Sequence, residues 1–164
     1  MPSLSELAAQ IAALPPEARA AAINAFSGGL DAHVGLSFTS CDAERVEATL
    51  TTTPEHTQVY GLVHGGLYCT IVEAVGSCGA ALLHLPSGRL SVGVENRTRF
   101  LRAARAGAVL TAVGVPAEVS ESGSRWEVRI VDQDGVVCAE GHLETRALPP
   151  GATVGGRALG LPDA

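Results

Sequence analysis

The sequence predicts an α+β fold in which a curved antiparallel sheet wraps around one long central helix, with extra helices at the N-terminus. Three observations predict it. The segment Gly65–Leu83 is apolar or small at every position except Glu73. Six other stretches alternate apolar and polar residues as β-strands do, and apolar residues near the N-terminus recur at helical spacing. Because a helix that is hydrophobic on all sides must be covered on all sides, we expect the sheet and a second subunit to enclose it.

The N-terminal region predicts two helices. Apolar residues recur at helical spacing over Ser3–Leu14, where Ser3 can act as the N-cap and Glu6 can complete a capping box. Two prolines end this helix. Glu17–Phe26 reads as a second helix, which Gly28–Gly29 ends.

The hydrophobic period changes to that of strands beyond about residue 30. The six predicted strands are Leu36–Ser40, Val46–Thr53, Leu90–Leu101, Ala108–Glu118, Ser124–Asp132 and Val136–Arg146. The sequence Asp132-Gln-Asp-Gly135 predicts a hairpin between the last two. Between the second and third strands, the loop Tyr60–Gly66 leads into the apolar helix, which extends from about residue 65 to residue 84 and ends at the turn Pro86–Gly88.

Composition limits the classes of function. The chain has 164 residues, of which 46% are hydrophobic, so it can build a core. Its formal net charge of −6 argues against a general nucleic-acid binder. We assign residues 1–30 to a helical extension, 31–147 to the main domain and 148–164 to a flexible Gly/Pro-rich tail.

The cysteines and the N-terminus predict a cytoplasmic protein. The four cysteines, at positions 41, 69, 78 and 138, form no Cys-x-x-Cys pair, which favours buried reduced thiols over disulfides or a zinc site. No basic residue precedes Arg19, so the N-terminus does not resemble a signal peptide. The apolar segment is long enough for a membrane span, but its carboxylate and four glycines favour a core helix.

Glu73 is the candidate for chemistry. An ionised carboxylate in an apolar core costs several kcal/mol unless it is paired, and catalysis is one reason to keep one there. A surface ion pair with an arginine is the alternative. The residues on the same helical face are small or polar: Gly66, Cys69, Thr70, Ser77 and Ala80. They leave space for a ligand, although close helix–sheet packing would use the same residue types.

His64-Gly65-Gly66 marks the start of the helix, about two turns before Glu73. Unpaired N–H groups and the helix dipole at this end can polarise a carbonyl oxygen, and glycine allows close approach. Glu73 would then serve as a base or nucleophile within reach. His64 is a titratable candidate too, with a purely positional histidine as the alternative.

These residues carry a resemblance to a known family. The pattern Gln58-x5-His64-Gly65-Gly66-x6-Glu73-x3-Ser77 resembles the active-site segment of hotdog-fold acyl-CoA thioesterases. It is most similar to the branch of phenylacetate-pathway (PaaI-type) and 4-hydroxybenzoyl-CoA thioesterases. The resemblance extends through Asn96-x-Thr98-x-Phe100-Leu-Arg102 and Gly107 to Cys138, and covers roughly residues 34–146.

The resemblance implies a role for each matching position. Glu73 would act as nucleophile or general base, and the Gly65 N–H would polarise the thioester oxygen. Gln58 would orient the thioester, and Ser77 would hold the hydrolytic water. The family builds its site between subunits, which implies a homodimer or homotetramer. Coenzyme A belongs to the substrate, and no metal or redox cofactor is needed.

Residues for the coenzyme A portion are also predicted. Four arginines occur within nine residues, at positions 97, 99, 102 and 105, and arginine suits bidentate contacts to phosphate. A solvated strand edge is the alternative, and Arg102 best matches the family. The remaining predicted substrate contacts are Gly66, Asn96, Thr98, Ser122 and Gly123. The neighbouring Glu121 departs from the family pattern.

Other classes of function compete with this interpretation. A hotdog acyl-CoA hydratase or dehydratase would use a differently placed His–acid pair, and the helix holds no clear second histidine. A non-catalytic acyl-CoA binder would not need Gln58, Glu73 and Ser77 together. The chain has no Gly-x-Ser-x-Gly, His-Glu-x-x-His or P-loop pattern, and nothing marks Cys69 as an activated nucleophile. The sequence does not separate aryl from short or medium aliphatic acyl groups.

Overall fold

The computed structural model describes residues 4–26 and 28–158. The helices are α1 (Leu4–Ala12), α2 (Pro16–Phe26), α3 (Gly29–His33) and α4 (Gly65–His84). The strands are β1 (Ser37–Cys41), β2 (Val46–Thr51), β3 (Leu90–Phe100), β4 (Val109–Ser120), β5 (Gly123–Val131), β6 (Val137–Leu148), β7 (Thr153–Val154) and β8 (Arg157–Ala158). Two short 3-10 turns, Pro54–His56 and Leu85–Ser87, flank α4 in the chain.

Six strands form one antiparallel sheet in the order β1-β2-β4-β5-β6-β3. Alternate side chains face inward, and the largest of them are fully buried: Leu50, Leu110, Trp126, Ile130 and Leu143. β1 and β3 form the two edges. The prediction of a sheet wrapped around one long helix is confirmed.

Glycines let α4 lie directly on the sheet. A Cβ at Gly76 would come within 2.8 Å of Leu143, and one at Gly79 would overlap the Trp126 ring. The segment Gly65–Ser87 is long and apolar enough to cross a membrane by length and composition alone. Half of its most apolar window is buried within this fold, as in a core helix of a folded domain.

Helix α2 packs against β1 of the main sheet, and α1 packs against the turn that follows α4. On α2, Arg19 makes a 2.8 Å ion pair with Asp42, and Asn24 exchanges hydrogen bonds with the backbone of Phe38 on β1. Ser3, the predicted N-cap, lies outside the described residues. The sequence placed the end of the helical region at Gly28–Gly29, but the short helix α3 begins at Gly29. The predicted domain boundary therefore falls inside α3.

The C-terminal region contains a small hairpin formed by β7 and β8. Its strands have two residues each and were not predicted, because two residues carry no measurable period. The flexible character of the tail and the three domain bounds stay predictions.

Candidate active site

Glu73 lies in the middle of α4 and is half-buried. It lines a cavity of about 440 Å³ between α4, α3 and β3. The other residues on its wall are Leu30, Asp31, Cys69, Thr70, Ala74, Ser77 and Asn96. The small or polar face predicted around Glu73 therefore borders open space rather than close packing at this level of the helix.

Asn96 on β3 holds the Glu73 carboxylate in place. Its Nδ2 donates to Glu73 Oε2 at 3.0 Å and to the Cys69 carbonyl at 3.0 Å. Thr98 Oγ1 donates to Asn96 Oδ1 at 2.8 Å, which fixes the orientation of the amide. A Cβ at Gly93 would overlap Glu73 Oε1, so the bare glycine backbone makes room for the second oxygen. Asn96 and Thr98, predicted as substrate contacts, thus form a hydrogen-bonded chain that ends on Glu73.

A second carboxylate, Asp31 on α3, lines the same cavity. Burial raises the pKa of Asp31, and the negative charge of Glu73 raises it further. Within the described chain its carboxylate makes no hydrogen bond that would offset the burial. Sequence reasoning missed this residue because α3 is too short to show a period. Its one signal was an acidic side chain between Leu30 and Ala32 in an otherwise small or apolar stretch.

His64 caps the start of α4. Its Nδ1 accepts the Gly66 N–H at 2.8 Å, so the ring satisfies one of the free donors of the first turn. In the described part of the chain, no group accepts a hydrogen bond from the Gly65 N–H, which remains available to a ligand. The Phe100 ring covers Gly65 so closely that a Cβ there would lie 2.8 Å from its Cζ atom. This geometry supports the positional role for His64.

Gln58 lies on the loop that leads to this helix start. Its side-chain Oε1 accepts the Tyr60 backbone N–H at 2.5 Å. Its backbone N–H donates to the Leu62 carbonyl at 2.8 Å. These bonds hold the loop in a tight turn. The side-chain amide nitrogen has no partner in the described residues, so it can donate to a substrate oxygen.

One chain does not bring all the predicted catalytic residues together. Gly65 and Glu73 are eight residues apart on one helix, which separates them by about 12 Å along its axis. A single carbonyl group makes contacts of about 3 Å and cannot touch both. Ser77 lines the Glu73 cavity, whereas Gln58, His64 and Gly65 do not. The predicted catalytic residues therefore fall into two groups, one around Glu73 and one at the start of α4, which we call half-sites.

The predicted coenzyme A contacts are also divided. Arg97 pairs with Glu95 at 3.0 Å, and Arg97 and Arg99 line an open groove on the outer face of the sheet. Arg102 is exposed on the loop after β3, at the end of the sheet where α4 begins. Ser122 and Gly123 form the β4–β5 turn at the opposite end of the sheet. Arginines close in sequence thus face different surfaces.

Outside this region, Glu95, His142 and Glu144 place possible metal-ligand atoms within 4.8 Å of one another. Both glutamates are exposed on the surface of the sheet. His142 Nε2 lies 3.7 Å from Glu95 Oε1, which an ordinary surface ion pair explains when the histidine is protonated. The expected absence of a metal at the catalytic site stays a prediction.

Comparison with known proteins identifies relatives. Residues 60–139 match the family model described as the Thioesterase superfamily. The proofreading thioesterase EntH of Cronobacter turicensis is 32% identical over 77% of this chain and 92% of that protein. The 1,4-dihydroxy-2-naphthoyl-CoA hydrolase of Escherichia coli is 29% identical over 77% of this chain and 93% of that protein.

A solved structure agrees in fold. The PaaI protein from the phenylacetic acid degradation operon of Escherichia coli superposes with a TM-score of 0.70. The match covers 90% of this chain and 98% of that protein at 20% sequence identity. The hotdog fold expected from the His64–Glu73 segment is therefore confirmed. The chain belongs to the thioesterase superfamily and is a thioester hydrolase of the hotdog fold.

Proposed function

We propose that this protein is a cytoplasmic acyl-CoA thioesterase that hydrolyses a coenzyme A thioester to the free acid and coenzyme A. The observation that carries the proposal is the Glu73 carboxylate, which Asn96 holds at the wall of a cavity. Among the relatives, the naphthoyl-CoA hydrolase is named for a coenzyme A thioester. The exposed Arg102 guanidinium suits a phosphate of the coenzyme.

Glu73 can begin the hydrolysis in two ways, as a nucleophile or as a general base. As a nucleophile, its carboxylate oxygen bonds to the carbonyl carbon, the C–S bond breaks, and the departing thiolate takes a proton from solvent; water then hydrolyses the anhydride. As a general base, Glu73 takes a proton from water as the water oxygen attacks, and passes that proton to the leaving thiolate. Both routes use only protein groups and water, so we propose that no cofactor is required.

The geometry of β3 supports a site shared between two copies of the chain. β3 bonds to β6 on one side only, and Val94 and Phe100 on this edge strand are each 57% exposed. A long unpaired edge is suited to pairing with another strand. Antiparallel pairing of two β3 strands about their midpoint would place the Phe100 end of one copy opposite the Leu90 end of the other.

This pairing would complete the two half-sites. Gly65 packs against Phe100, and Glu73 packs against Gly93 near the start of β3. The helix start of one copy would then approach the carboxylate of the other. The free Gly65 N–H would stabilise the oxyanion while the second copy's Glu73 attacks or activates water. The number of subunits beyond two stays open.

Release of free thiol from acyl-CoA substrates tests the proposal. We expect Glu73→Gln to lower kcat by at least about 10³-fold, because the amide neither attacks nor accepts a proton. Glu44→Gln, at an exposed position in the β1–β2 turn, is the matched control and should retain wild-type turnover. Full turnover by Glu73→Gln would refute the assignment of Glu73. Binding of acyl-CoA without turnover by the wild type would favour a binding protein instead.

A further inference from the structure

A second cavity lies beneath the N-terminal helices. It has a volume of about 400 Å³, is partly open to solvent, and is lined by residues of α1, α2, α3, β1, α4, β3 and the turn that follows α4. Its wall is mostly aliphatic, with Phe38 as its one aromatic residue. Its apolar wall includes Ile23 on α2, Phe38 on β1, and Ala74 and Ala81 on α4.

This cavity adjoins the one that contains Glu73. Asp31, Ala74 and Ser77 line both. Along α4, the wall passes from Glu73 and Ala74 through Ser77 to Ala81, positions that follow one face of the helix. For an acyl group whose carbonyl lies beside Glu73, the nearest apolar space on the same helix face is therefore the one beyond Ser77.

We propose that the N-terminal helices and α4 enclose the acyl pocket, which selects uncharged, apolar acyl groups of intermediate size. This inference rests on the proposed acyl-CoA hydrolysis. At about 30 Å³ for each water-sized group, the cavity holds roughly a dozen non-hydrogen atoms. It therefore accommodates an eight- to twelve-carbon chain, and a sixteen-carbon chain exceeds it. An acetyl group would leave most of the apolar wall without contacts.

The charges of Asp31 and Glu73 also affect which acyl groups can bind. Asp31 lies where the two cavities meet, close enough to Glu73 for their charges to interact. A carboxylate on the acyl group would be buried near these two acids in a place of low dielectric, where like charges repel strongly. Succinyl-CoA is therefore a poor substrate, although its acyl group is small enough to enter.

Variants that change the pocket volume test the inference. Ala81→Leu fills the cavity from α4, and Ile23→Ala enlarges it from α2. Ala21→Leu, exposed on α2 and absent from the cavity wall, is the matched control for Ala81→Leu. For each, kcat/KM is measured with butyryl-, decanoyl-, palmitoyl- and succinyl-CoA. Circular dichroism confirms that each variant is folded.

We expect the wild type to prefer decanoyl-CoA over palmitoyl- and succinyl-CoA by at least about tenfold. Ala81→Leu should lower kcat/KM for decanoyl-CoA by about tenfold or more, whereas kcat/KM for butyryl-CoA should change by less than about threefold. Ile23→Ala should raise kcat/KM for palmitoyl-CoA relative to kcat/KM for decanoyl-CoA, because the smaller side chain enlarges the cavity. The control should keep the wild-type profile.

The outcomes separate this inference from the proposed function. If the wild type hydrolyses none of the four thioesters and no aryl thioester such as benzoyl-CoA, the proposed function fails. Hydrolysis of benzoyl-CoA but not of decanoyl-CoA overturns only the pocket assignment. If the wild type hydrolyses the four thioesters and both cavity variants keep its chain-length profile, only the pocket assignment is overturned. Calorimetric binding of the non-hydrolysable thioether S-decyl-CoA gives a readout that is independent of turnover. Ala81→Leu should weaken that binding by about tenfold, and unchanged binding would also contradict the pocket.

Discussion

At the scale of single residues, the orientation of Glu73 depends on Asn96. The amide fixes one carboxylate oxygen by a 3.0 Å hydrogen bond and leaves the cavity side of the group open. In the proposed mechanism, Asn96 would therefore be a positioning residue that acts through Glu73. In Asn96→Ala the carboxylate can rotate away from the attack geometry, and misplacement of this size lowers rates by up to about 10²-fold.

Steady-state kinetics of Asn96→Ala check this. We expect kcat to fall by about tenfold to a hundredfold with KM changed less than about threefold, since the substrate contacts remain. Thr98→Val, which removes the hydroxyl that donates to Asn96 Oδ1, should lower kcat by a smaller factor. A rise in KM at unchanged kcat would instead assign Asn96 to substrate binding.

Asp31 makes stability depend on pH. Its pKa is raised by burial and by Glu73, so the folded state binds the proton more tightly than the unfolded chain does. This contribution is fully present below the usual Asp value of 3.8 and is lost as the pH rises through the raised value. Asp31→Asn should therefore gain stability relative to the wild type across this interval and keep a constant advantage at higher pH.

Urea unfolding midpoints of Asp31→Asn at several pH values measure this difference. Asp42→Asn is the control, because its stability relative to the wild type should change in the opposite direction with pH. Burial opposes ionisation of Asp42. The hydrogen bond and charge of Arg19, together with the backbone N–H groups of Glu44 and Ala43, outweigh it and lower the pKa of Asp42. Asp42→Asn should lose stability relative to the wild type as the pH rises. A difference for Asp31→Asn that does not vary with pH would contradict the account.

At the scale of elements, α4 packs closely against β5. A Cβ at Gly79 would overlap the buried Trp126 ring, and the helix backbone cannot move without lifting off the sheet. Gly79→Ala should lower the free energy of unfolding by about 1–3 kcal/mol in spite of the better helix propensity of alanine. Urea unfolding followed by circular dichroism tests this.

Gly28→Ala, whose Cβ would meet no atom within 4 Å, is the control and should change the free energy of unfolding by no more than about 0.5 kcal/mol. Equal losses of stability in both variants would refute the packing argument.

Long periodic elements were predictable and short ones were not. The predicted helix over residues 65–84 matches α4, and each of the six predicted strands overlaps an observed one. Val46–Thr53 alternates over enough residues to define a face, and α4 is apolar on every side. In contrast, α3 has five residues and β7 has two, so packing against the rest of the chain decides their structure. Asp31 was missed for this reason.

At the scale of the whole molecule, sequence spacing did not reveal where the site is assembled. Gly65 and Glu73 share a helix, and helix spacing alone placed them within reach of each other, whereas the family resemblance implied a site built between subunits. The rise of the helix separates them instead, and Asn96 reaches Glu73 only because β3 lies beside α4. Contacts between distant segments depend on tertiary structure, so the residue types were predictable from the sequence, and the contact between Asn96 and Glu73 was not.

Mixing two inactive variants tests the shared site. Glu73→Gln removes the carboxylate from one half-site, and Gln58→Ala damages the other. If the site spans two copies, unfolding and refolding the two proteins together gives hybrid dimers with one intact site each. Random pairing would restore about a quarter of wild-type activity in an equal mixture. Activity that stays at the sum of the separate variants would place the complete site within one chain.

The position of Trp126 gives this protein an internal reporter. It is the single tryptophan of the chain, it is fully buried, and its indole ring lies against the helix at Gly79. Ultraviolet emission from the indole therefore originates at the contact between α4 and β5 alone. Separation of that contact would expose the indole ring to water and shift the emission to longer wavelength. Fluorescence can thus time the opening of the helix–sheet contact in this molecule without any attached dye.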